Sequence, residues 1–254
     1  MRAVILAGGL GTRLSEETVS RPKPMVEIGG IPILIHIMRY FYKYQVKDFV
    51  ICLGFKGYHI KEYFLNYSLH NSDVTFDFQN DDMHVHQTRV EPWNVTLVDT
   101  GLETMTGGRL KRVEKFLDKN EPFFFTYGDG LADINLHDEY LFHKNHGGLA
   151  TVAAVHPPGR FGRMEILGDK VGSFMEKPAG DGSRINGGFF ILDPGVFKFI
   201  DGDRCVWEEY PLAELSKRKE LHAFCHDGFW QPMDTLRDKM NLEEIWKSGD
   251  APWK

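Results

Sequence analysis

The sequence predicts an α/β fold with a mostly parallel central sheet, and three observations lead to this prediction. Residues 3–7 form a short apolar run, rich in β-branched side chains and closed by glycine, which is typical of a buried strand. Apolar residues then recur every three or four positions over residues 33–44, as on one face of a helix. A second buried strand, residues 49–53, follows and ends at Gly54. Strand, helix and strand in this order indicate parallel winding.

The same alternation continues along the chain. Apolar runs and alternating apolar and polar residues predict further strands near residues 73–78, 95–98, 122–127, 150–155, 164–167, 171–174, 189–192 and 221–225. Amphipathic spacing predicts further helices near residues 57–67, 107–117, 136–146 and 211–217, and a last helix after residue 235. The sequence contains no repeats, low-complexity tracts or linker-like stretches, so we expect a single domain.

Composition and charge narrow the classes of function. The 254 residues are 42% hydrophobic and 26% charged. A chain of this length and hydrophobic content can form a large core in one domain. A net charge of -6 gives no basic surface field, so neither nucleic acid nor a membrane surface is an expected partner. Cys52, Cys205 and Cys225 are odd in number and widely spaced, which is typical of reduced thiols in a cytoplasmic protein. No apolar run approaches a membrane span, and we expect no signal peptide.

The glycine-rich turn after the first strand is the strongest functional signal. Gly8, Gly9 and Gly11 stand where a parallel sheet delivers a loop to its ligand-binding carboxyl edge. Without Cβ atoms, their backbone N–H groups can surround an anion, and Arg13 and Lys23 add cationic donors. The turn therefore predicts a polyphosphate ligand.

Other interpretations of this turn are weaker. Isolated glycines would fit a simple tight connection. A dinucleotide-binding fingerprint requires a third glycine where Leu14 stands, and the following residues run into two prolines instead of a clean helix start. A Walker A loop is excluded because Gly-Lys-Ser/Thr is lacking. Pro22 and Pro24 should hold Lys23 extended, in reach of a fixed phosphate.

Two later segments carry similar signals. Asp129 lies between two glycines at the end of the strand predicted over residues 122–127, and its hard anionic oxygens suit Mg²⁺ beside phosphates. The plainer interpretation is that Asp129 caps a turn. The pair Gly107-Gly108 introduces a helix, which predicts close approach of a ligand. Asp234 followed by Thr235 is most simply a helix cap.

The glycine turn and the proline-flanked lysine together resemble a known family. Residues 6–13 followed by Pro22-Lys23-Pro24 are similar to the signature of the sugar-1-phosphate nucleotidyltransferases. This resemblance implies a Rossmann-like nucleotidyltransferase fold with a mixed, mostly parallel sheet flanked by helices and a small β-rich sugar-binding part. Within a single domain, residues 1–254, it implies a nucleotide-binding part over about residues 1–130 and a sugar-phosphate and metal part over about residues 131–254.

The resemblance also implies roles for individual residues. The triphosphate would be bound by Leu6, Ala7, Gly8, Gly9, Leu10, Gly11, Thr12, Arg13, Lys23, Thr104, Arg109 and Gly128. The sugar phosphate would be bound by Glu176, Lys177, Asn186 and Gly187, and Mg²⁺ by Asp129 and Asp234. The implied catalytic set is Arg13, Lys23, Asp129, Lys177 and Asp234. Taken alone, Lys177 would be interpreted as a solvated surface cation.

Four further segments narrow the resemblance. Residues 91–101, 105–109, 157–162 and 229–235 look like those of family members that make CDP-glucose from CTP and glucose 1-phosphate, for the dideoxyhexoses of lipopolysaccharide O antigen. Two alternatives stay open. The chain could use dTTP or UTP on the same fold, or it could be a non-catalytic sensor of nucleotides or sugar phosphates.

The choice of base and the assembly are two further expectations. Cytosine presents adjacent O2 and N3 acceptors, and the parallel donors of an arginine fork match them. Arg109 stands where the family reads the base, with Lys111 or Arg112 as fallbacks, although Arg109 could also be an ordinary surface cation. The family commonly forms homo-oligomers, and the aromatic, extended segment near residues 73–94 offers material for an interface.

Overall fold

The three-dimensional structure is a computed structural model that describes residues 1–158, 163–167, 170–175 and 183–254. Within these ranges, the side chains of residues 13, 15, 16, 163–167, 174 and 175 are not described. Glu176 and Lys177 lie outside the described residues.

The described residues form fifteen strands. They are β1 (Arg2–Ala7), β2 (Glu27–Ile28), β3 (Ile31–Pro32), β4 (Asp48–Leu53), β5 (Ser72–Asp77), β6 (Asp82–Thr88), β7 (Asn94–Asp99), β8 (Phe123–Tyr127), β9 (Gly130–Ala132), β10 (Ala150–Val155), β11 (Arg163–Leu167), β12 (Lys170–Met175), β13 (Ile185–Leu192), β14 (Leu221–His226) and β15 (Trp230–Pro232). The helices are α1 (Ser15–Thr18), α2 (Ile33–Lys43), α3 (Gly57–Leu65), α4 (Tyr67–His70), α5 (Thr106–Val113), α6 (Leu136–His146), α7 (Tyr210–Lys217) and α8 (Leu236–Ser248).

The central sheet is mixed and mostly parallel, which confirms the predicted fold class. Within the described residues it has seven strands in the order β14-β10-β13-β8-β1-β4-β7. The neighbours β1, β4, β7 and β8 run parallel, as do β10 and β14. Strand β13 runs antiparallel to both β8 and β10, so its first residues meet the carboxyl ends of those strands.

The two faces of the sheet carry two separate hydrophobic clusters. Along β1, Ala3, Ile5 and Ala7 pack into one cluster and Val4 and Leu6 into the other, as expected for side chains that alternate across a strand. Helices α2 and α8 cover the first face, and α5 and α7 cover the second. Both faces of β1 are thus buried, which explains its continuous apolar sequence.

Local conformation near the first loop differs from two expectations. Lys23 is not extended: it opens a 3-10 turn over Lys23–Met25, whereas the preceding Pro22 has extended backbone angles. The residues after the glycine turn do form helix, as a 3-10 turn (Thr12–Leu14) that leads into the four-residue α1. A backbone hydrogen bond from Leu14 N to Gly11 O, 3.1 Å long, starts this turn.

A two-stranded hairpin, β5 with β6, stands apart from the central sheet. Phe76, Phe78, Met83 and Val85 on this hairpin are exposed, Phe78 to 91%. The rings of Phe76 and Phe78 stack with centroids 6.0 Å apart. Among the described helices of the protein, none has both the length and the apolar character required to cross a bilayer.

Candidate functional site

The loops that follow β1, β7 and β8 meet at the carboxyl edge of the sheet and enclose a cleft of about 480 Å³. Its walls contain, among others, eleven of the twelve residues expected to bind the nucleotide: Leu6, Ala7, Gly8, Gly9, Leu10, Gly11, Thr12, Lys23, Thr104, Arg109 and Gly128. The twelfth, Arg13, has no described side chain. The structure therefore brings the two halves of the predicted nucleotide site together.

One wall of this cleft is apolar and accessible. Leu10, Leu102 and Met105 line the cleft, with 55%, 59% and 46% of their surface exposed. Exposed apolar side chains gathered around a concave surface are typical of a ligand-binding groove. They suit the flat faces of a base and a ribose, whereas the backbone N–H groups of the glycine turn suit phosphates.

Arg109 lines the cleft, and its guanidinium donates hydrogen bonds to other groups of the protein. Nη1 donates to Leu53 O at 3.1 Å, Thr100 Oγ1 at 2.8 Å and Gly101 O at 2.8 Å. Nη2 donates to Leu102 O at 3.2 Å. Both terminal nitrogens thus hold the loop after β7, so Arg109 has a structural role inside the protein. Burial lowers the pKa of Arg109 below its usual value.

The position of Arg109 also explains two glycines. A Cβ on Gly8 would lie 2.2 Å from Arg109 Nη1, and a Cβ on Gly54 would lie 2.4 Å from the same atom. Both glycines are therefore required by an internal guanidinium, whereas a methyl group built on Gly9 would have no neighbour within 4 Å among the described residues. Sequence analysis attributed all glycines of this turn to the ligand and missed the contact with Arg109.

The glycine pair at the start of α5 has a different role from the predicted one. A Cβ on Gly107 would lie 2.9 Å from Cys205 O, and a Cβ on Gly108 would lie 2.5 Å from Asp203 O. The pair allows the segment around residues 203–205 to pack against the helix, and Gly108 N donates to Cys205 O at 3.1 Å. The expectation that these glycines admit a ligand was wrong.

The two fallback base readers are also used elsewhere. Arg112 donates from Nε and Nη2 to the two carboxylate oxygens of Asp203, at 2.8 and 2.5 Å. Lys111 pairs with Glu114 at 2.8 Å. In the described part of the chain, the walls of the nucleotide cleft include neither residue. In this conformation the contacts of Lys111 and Arg112 do not support either fallback assignment.

Lys23, Asp129 and Asp234 form a charged centre at the floor of the site. The Lys23 ammonium lies 2.7 Å from Asp129 Oδ2 and 2.7 Å from Asp234 Oδ1. The Lys23 side chain is only 12% exposed, and the two carboxylates are 31% and 21% exposed. Burial opposes the charge on Lys23, but contact with Asp129 and Asp234 outweighs it and raises the pKa of Lys23.

A small ribbon places Asp234 beside Asp129. Strand β15 pairs antiparallel with β9, so that Pro232 lies opposite Gly130, and Met233 N donates to Asp129 O at 2.8 Å. Thr235, not Asp234, caps helix α8, because Thr235 and Asp238 form a reciprocal capping box. The Asp234 carboxylate is thereby left to face Lys23.

The donor set at this centre fits a magnesium ion. Asp129 and Asp234 each place a carboxylate oxygen 2.7 Å from the same nitrogen, and hard oxygen ligands are those that Mg²⁺ prefers. Within the described residues no group of three or more His, Cys, Asp or Glu side chains could hold a metal. The protein would therefore supply two carboxylates and phosphate oxygens would supply further ligands, which is usual for Mg²⁺.

A second cleft, of about 280 Å³, adjoins the first. Asn186 and Gly187, two of the residues expected to bind the sugar phosphate, lie in its wall, and so does Asp234. Tyr127 and Asp129 line both clefts, so the two cavities meet at the carboxylate centre. This arrangement allows two ligands to be held end to end.

Sequence analysis missed two aromatic residues of the second cleft. Trp230 lies in its wall and donates from Nε1 to Gly187 O at 2.7 Å, which fixes the start of β13, where Asn186 lies. Tyr127 forms the boundary with the nucleotide cleft. Its position at the carboxyl end of a buried strand, directly before Gly128, was a signal that could have identified it.

Comparison with a family model relates these observations to known proteins. The model, described as nucleotidyl transferase, matches residues 2–231. The match contains the glycine-rich loop, Lys23 and Asp129 and ends shortly before Asp234.

Individual relatives cover the whole chain. Over 254 residues it is 61% identical to the glucose-1-phosphate cytidylyltransferase of Salmonella typhimurium. The alignment covers 100% of this chain and 99% of that protein. It is 40% identical to the probable glucose-1-phosphate cytidylyltransferase of Bacillus subtilis, with 100% and 99% covered. Among solved structures, a putative glucose-1-phosphate thymidylyltransferase from Bacillus anthracis superposes with a TM-score of 0.69 at 19% identity, covering 96% of this chain and 94% of that one. At that identity the likeness shows a shared fold.

Proposed function

Because the chain belongs to the nucleotidyl transferase family, we propose that it transfers a cytidylyl group from CTP to glucose 1-phosphate, which yields CDP-glucose and pyrophosphate. The observation that carries this proposal is full-length identity of 61% to a protein named for that activity. The meeting of two clefts at Asp129 supports it, since the reaction must bring two phosphorylated substrates together at one point.

The reaction requires little covalent chemistry from the protein. A phosphate oxygen of the sugar phosphate attacks the α-phosphorus of CTP; a bond forms there, and the bond to the β-phosphate oxygen breaks, so that pyrophosphate leaves with the electron pair. The attacking monoester is already ionised near neutral pH, so no side-chain nucleophile is necessary. Catalysis then depends on positioning and on neutralising phosphate charge.

Each proposed residue has a task in this scheme. Lys23 and Arg13 would hold the leaving phosphates, and Asn186 and Gly187, together with Glu176 and Lys177, would hold the sugar phosphate. Asp129 and Asp234 would bind Mg²⁺. The ion would supply charge neutralisation at the reacting phosphates.

A pyrophosphate-release assay with CTP and glucose 1-phosphate tests the function directly. We expect release only when both substrates are present, and higher kcat/KM for CTP than for UTP or dTTP. A preference for UTP or dTTP would instead identify the protein as a nucleotidyltransferase of the same fold that uses another nucleotide. Nucleotide binding without pyrophosphate release with any triphosphate or sugar phosphate would identify a sensor.

The product suggests where the protein acts. CDP-glucose would be the precursor of dideoxyhexoses for lipopolysaccharide O antigen. We propose that the protein makes CDP-glucose in the cytoplasm. Three free cysteines are consistent with a reducing compartment.

We further propose that the protein forms a homo-oligomer. The exposed Phe76, Phe78, Met83 and Val85 on the β5–β6 hairpin are apolar surface of the kind that subunit interfaces bury. Light scattering at working concentration should give a mass above the 29.2 kDa of one chain. A monomeric mass would refute the proposal.

A further inference from the structure

Glu208, which none of the proposed catalytic roles uses, joins two walls of the site. It lies in the segment before α7, and its carboxylate is exposed. The hydroxyl of Tyr127 donates to Glu208 Oε1, and Thr106 Oγ1 donates to Glu208 Oε2 at 2.6 Å. One side chain thus accepts hydrogen bonds from the end of β8 and from the start of α5.

The two hydroxyls that Glu208 accepts belong to the site itself. Thr106 and Tyr127 both line the nucleotide cleft, and Tyr127 also lines the adjoining cleft. In both hydrogen bonds the hydroxyl is the donor, so the two walls of the site depend on the same carboxylate.

Thr106 is fixed in both of its hydrogen-bonding directions. Its hydroxyl proton goes to Glu208, and its oxygen accepts from Trp207 N at 2.9 Å. Tyr127 is fixed by packing as well, because its ring contacts those of Phe125 and Phe190 at centroid distances of 6.0 and 6.3 Å. Glu208 therefore links two side chains that each have one defined orientation.

We propose that Glu208 is a positioning residue that aligns the nucleotide and sugar-phosphate sites by holding Tyr127 and Thr106. This inference rests on the proposed transfer reaction and adds a residue to it. In-line displacement requires the attacking oxygen and the α-phosphorus to be aligned within a fraction of an ångström, and Tyr127 is the wall shared by the two clefts. A carboxylate suits this task because its two oxygens accept from two separate hydroxyls.

Three single variants test the proposal. We expect Glu208→Ala to lower kcat by about 10-fold or more, with smaller changes in the KM for CTP, because alignment is lost while the groups that touch the nucleotide remain. Glu208→Gln should recover most of this loss, since its amide can accept from one hydroxyl and donate to the oxygen of the other. Glu209→Ala, which removes an equal charge at the neighbouring exposed position, is the matched control and should resemble the wild type.

A double variant tests whether Glu208 acts through Tyr127. The loss from Glu208→Ala should be at least about threefold smaller in a Tyr127→Phe background than in the wild-type background. Unfolding temperatures of all variants separate alignment from loss of fold. The proposal is overturned if Glu208→Ala stays within about twofold of wild type, if Glu208→Gln is as impaired as Glu208→Ala, or if the two losses are fully additive. Lack of activity in the wild type would instead overturn the proposed function.

Discussion

Lys23 and Asp129 are 106 positions apart in the sequence, yet the ammonium of Lys23 lies 2.7 Å from Oδ2 of Asp129. The same ammonium lies 2.7 Å from Oδ1 of Asp234. One positive charge therefore faces two negative ones in a half-buried setting, and the surplus of negative charge favours a divalent cation once phosphates arrive.

The first prediction concerns the metal site. Asp129→Asn keeps the size of the side chain but removes its charge, so we expect turnover in Mg²⁺ to fall at least ~10²-fold, as when one preorganised electrostatic partner is lost. Pyrophosphate release is the measurement. Asp250→Asn, at an exposed position, is the control and should keep wild-type turnover. Turnover near the wild-type value in Asp129→Asn would remove Asp129 from the metal site.

A second prediction distinguishes the two possible roles of Arg109. Because its terminal nitrogens hold carbonyl oxygens of the loop after β7, Arg109→Ala should lower kcat/KM for CTP and UTP together, by about 10-fold or more. Arg109→Lys should be nearly as impaired, since one ammonium cannot replace the fork. The measurement is kcat/KM over both triphosphates. If only the preference for CTP is lost, Arg109 reads the base directly.

The glycines of the first loop give a third prediction. Gly8→Ala should lower the free energy of unfolding by about 1–3 kcal/mol, because the added methyl group overlaps the Arg109 guanidinium. Gly9→Ala should leave the free energy of unfolding unchanged and lower affinity for the triphosphate, because the open space around Gly9 faces the cleft. Denaturant unfolding and nucleotide titration measure the two quantities. Equal destabilisation by both substitutions would contradict this division.

The fourth prediction concerns pH and a buried acid in α6. Glu139 is fully buried, and its carboxyl oxygens have no hydrogen-bond partner among the described residues. Burial raises the pKa of Glu139 to about 8 from 4.5. The folded chain therefore keeps this proton over a range in which the unfolded chain has lost it. The stabilising contribution is complete below about pH 4.5 and is lost progressively as the pH rises to about 8.

Glu139→Gln tests this linkage because glutamine has a similar shape and does not titrate. Between pH 5 and pH 8 the free energy of unfolding of the wild type should fall relative to that of the variant, by on the order of a few kcal/mol. The slope is the readout, since a buried unpaired amide has its own cost. Glu244→Gln, at an exposed position of α8, should run parallel to the wild type. A wild type that also runs parallel to Glu139→Gln would show that Glu139 is ionised in the folded chain.

The framework of the fold could be predicted because its signals are local. Strands β1 and β4 and helix α2 follow from apolar runs and from helical spacing within a dozen residues. The direction of β13 could not be predicted, because a strand buried on both faces has the same apolar sequence whichever way it runs. Its antiparallel pairing depends on partners that precede it by thirty residues or more.

The site shows the same division between local and distant causes. Asp129 could be identified from the glycines on either side of it, whereas Asp234 was identified through family resemblance alone. A local signal existed, since Thr235 and Asp238 have the spacing of a capping box and so release Asp234 from a capping role. The role of Arg109 had no such signal, because its acceptors are backbone carbonyls that any sequence would provide.

The β9–β15 ribbon has a consequence for the protein during its synthesis. The residues that line the nucleotide cleft all lie within the first half of the chain or just beyond it, up to Asp129. The partner of Asp129, by contrast, arrives with β15, which must fold back across more than ninety intervening residues. On the ribosome, the residues that line the nucleotide cleft are therefore made well before the partner that completes the carboxylate pair. The proposed metal site is thus complete only after the segment that carries Asp234 has been made and has docked.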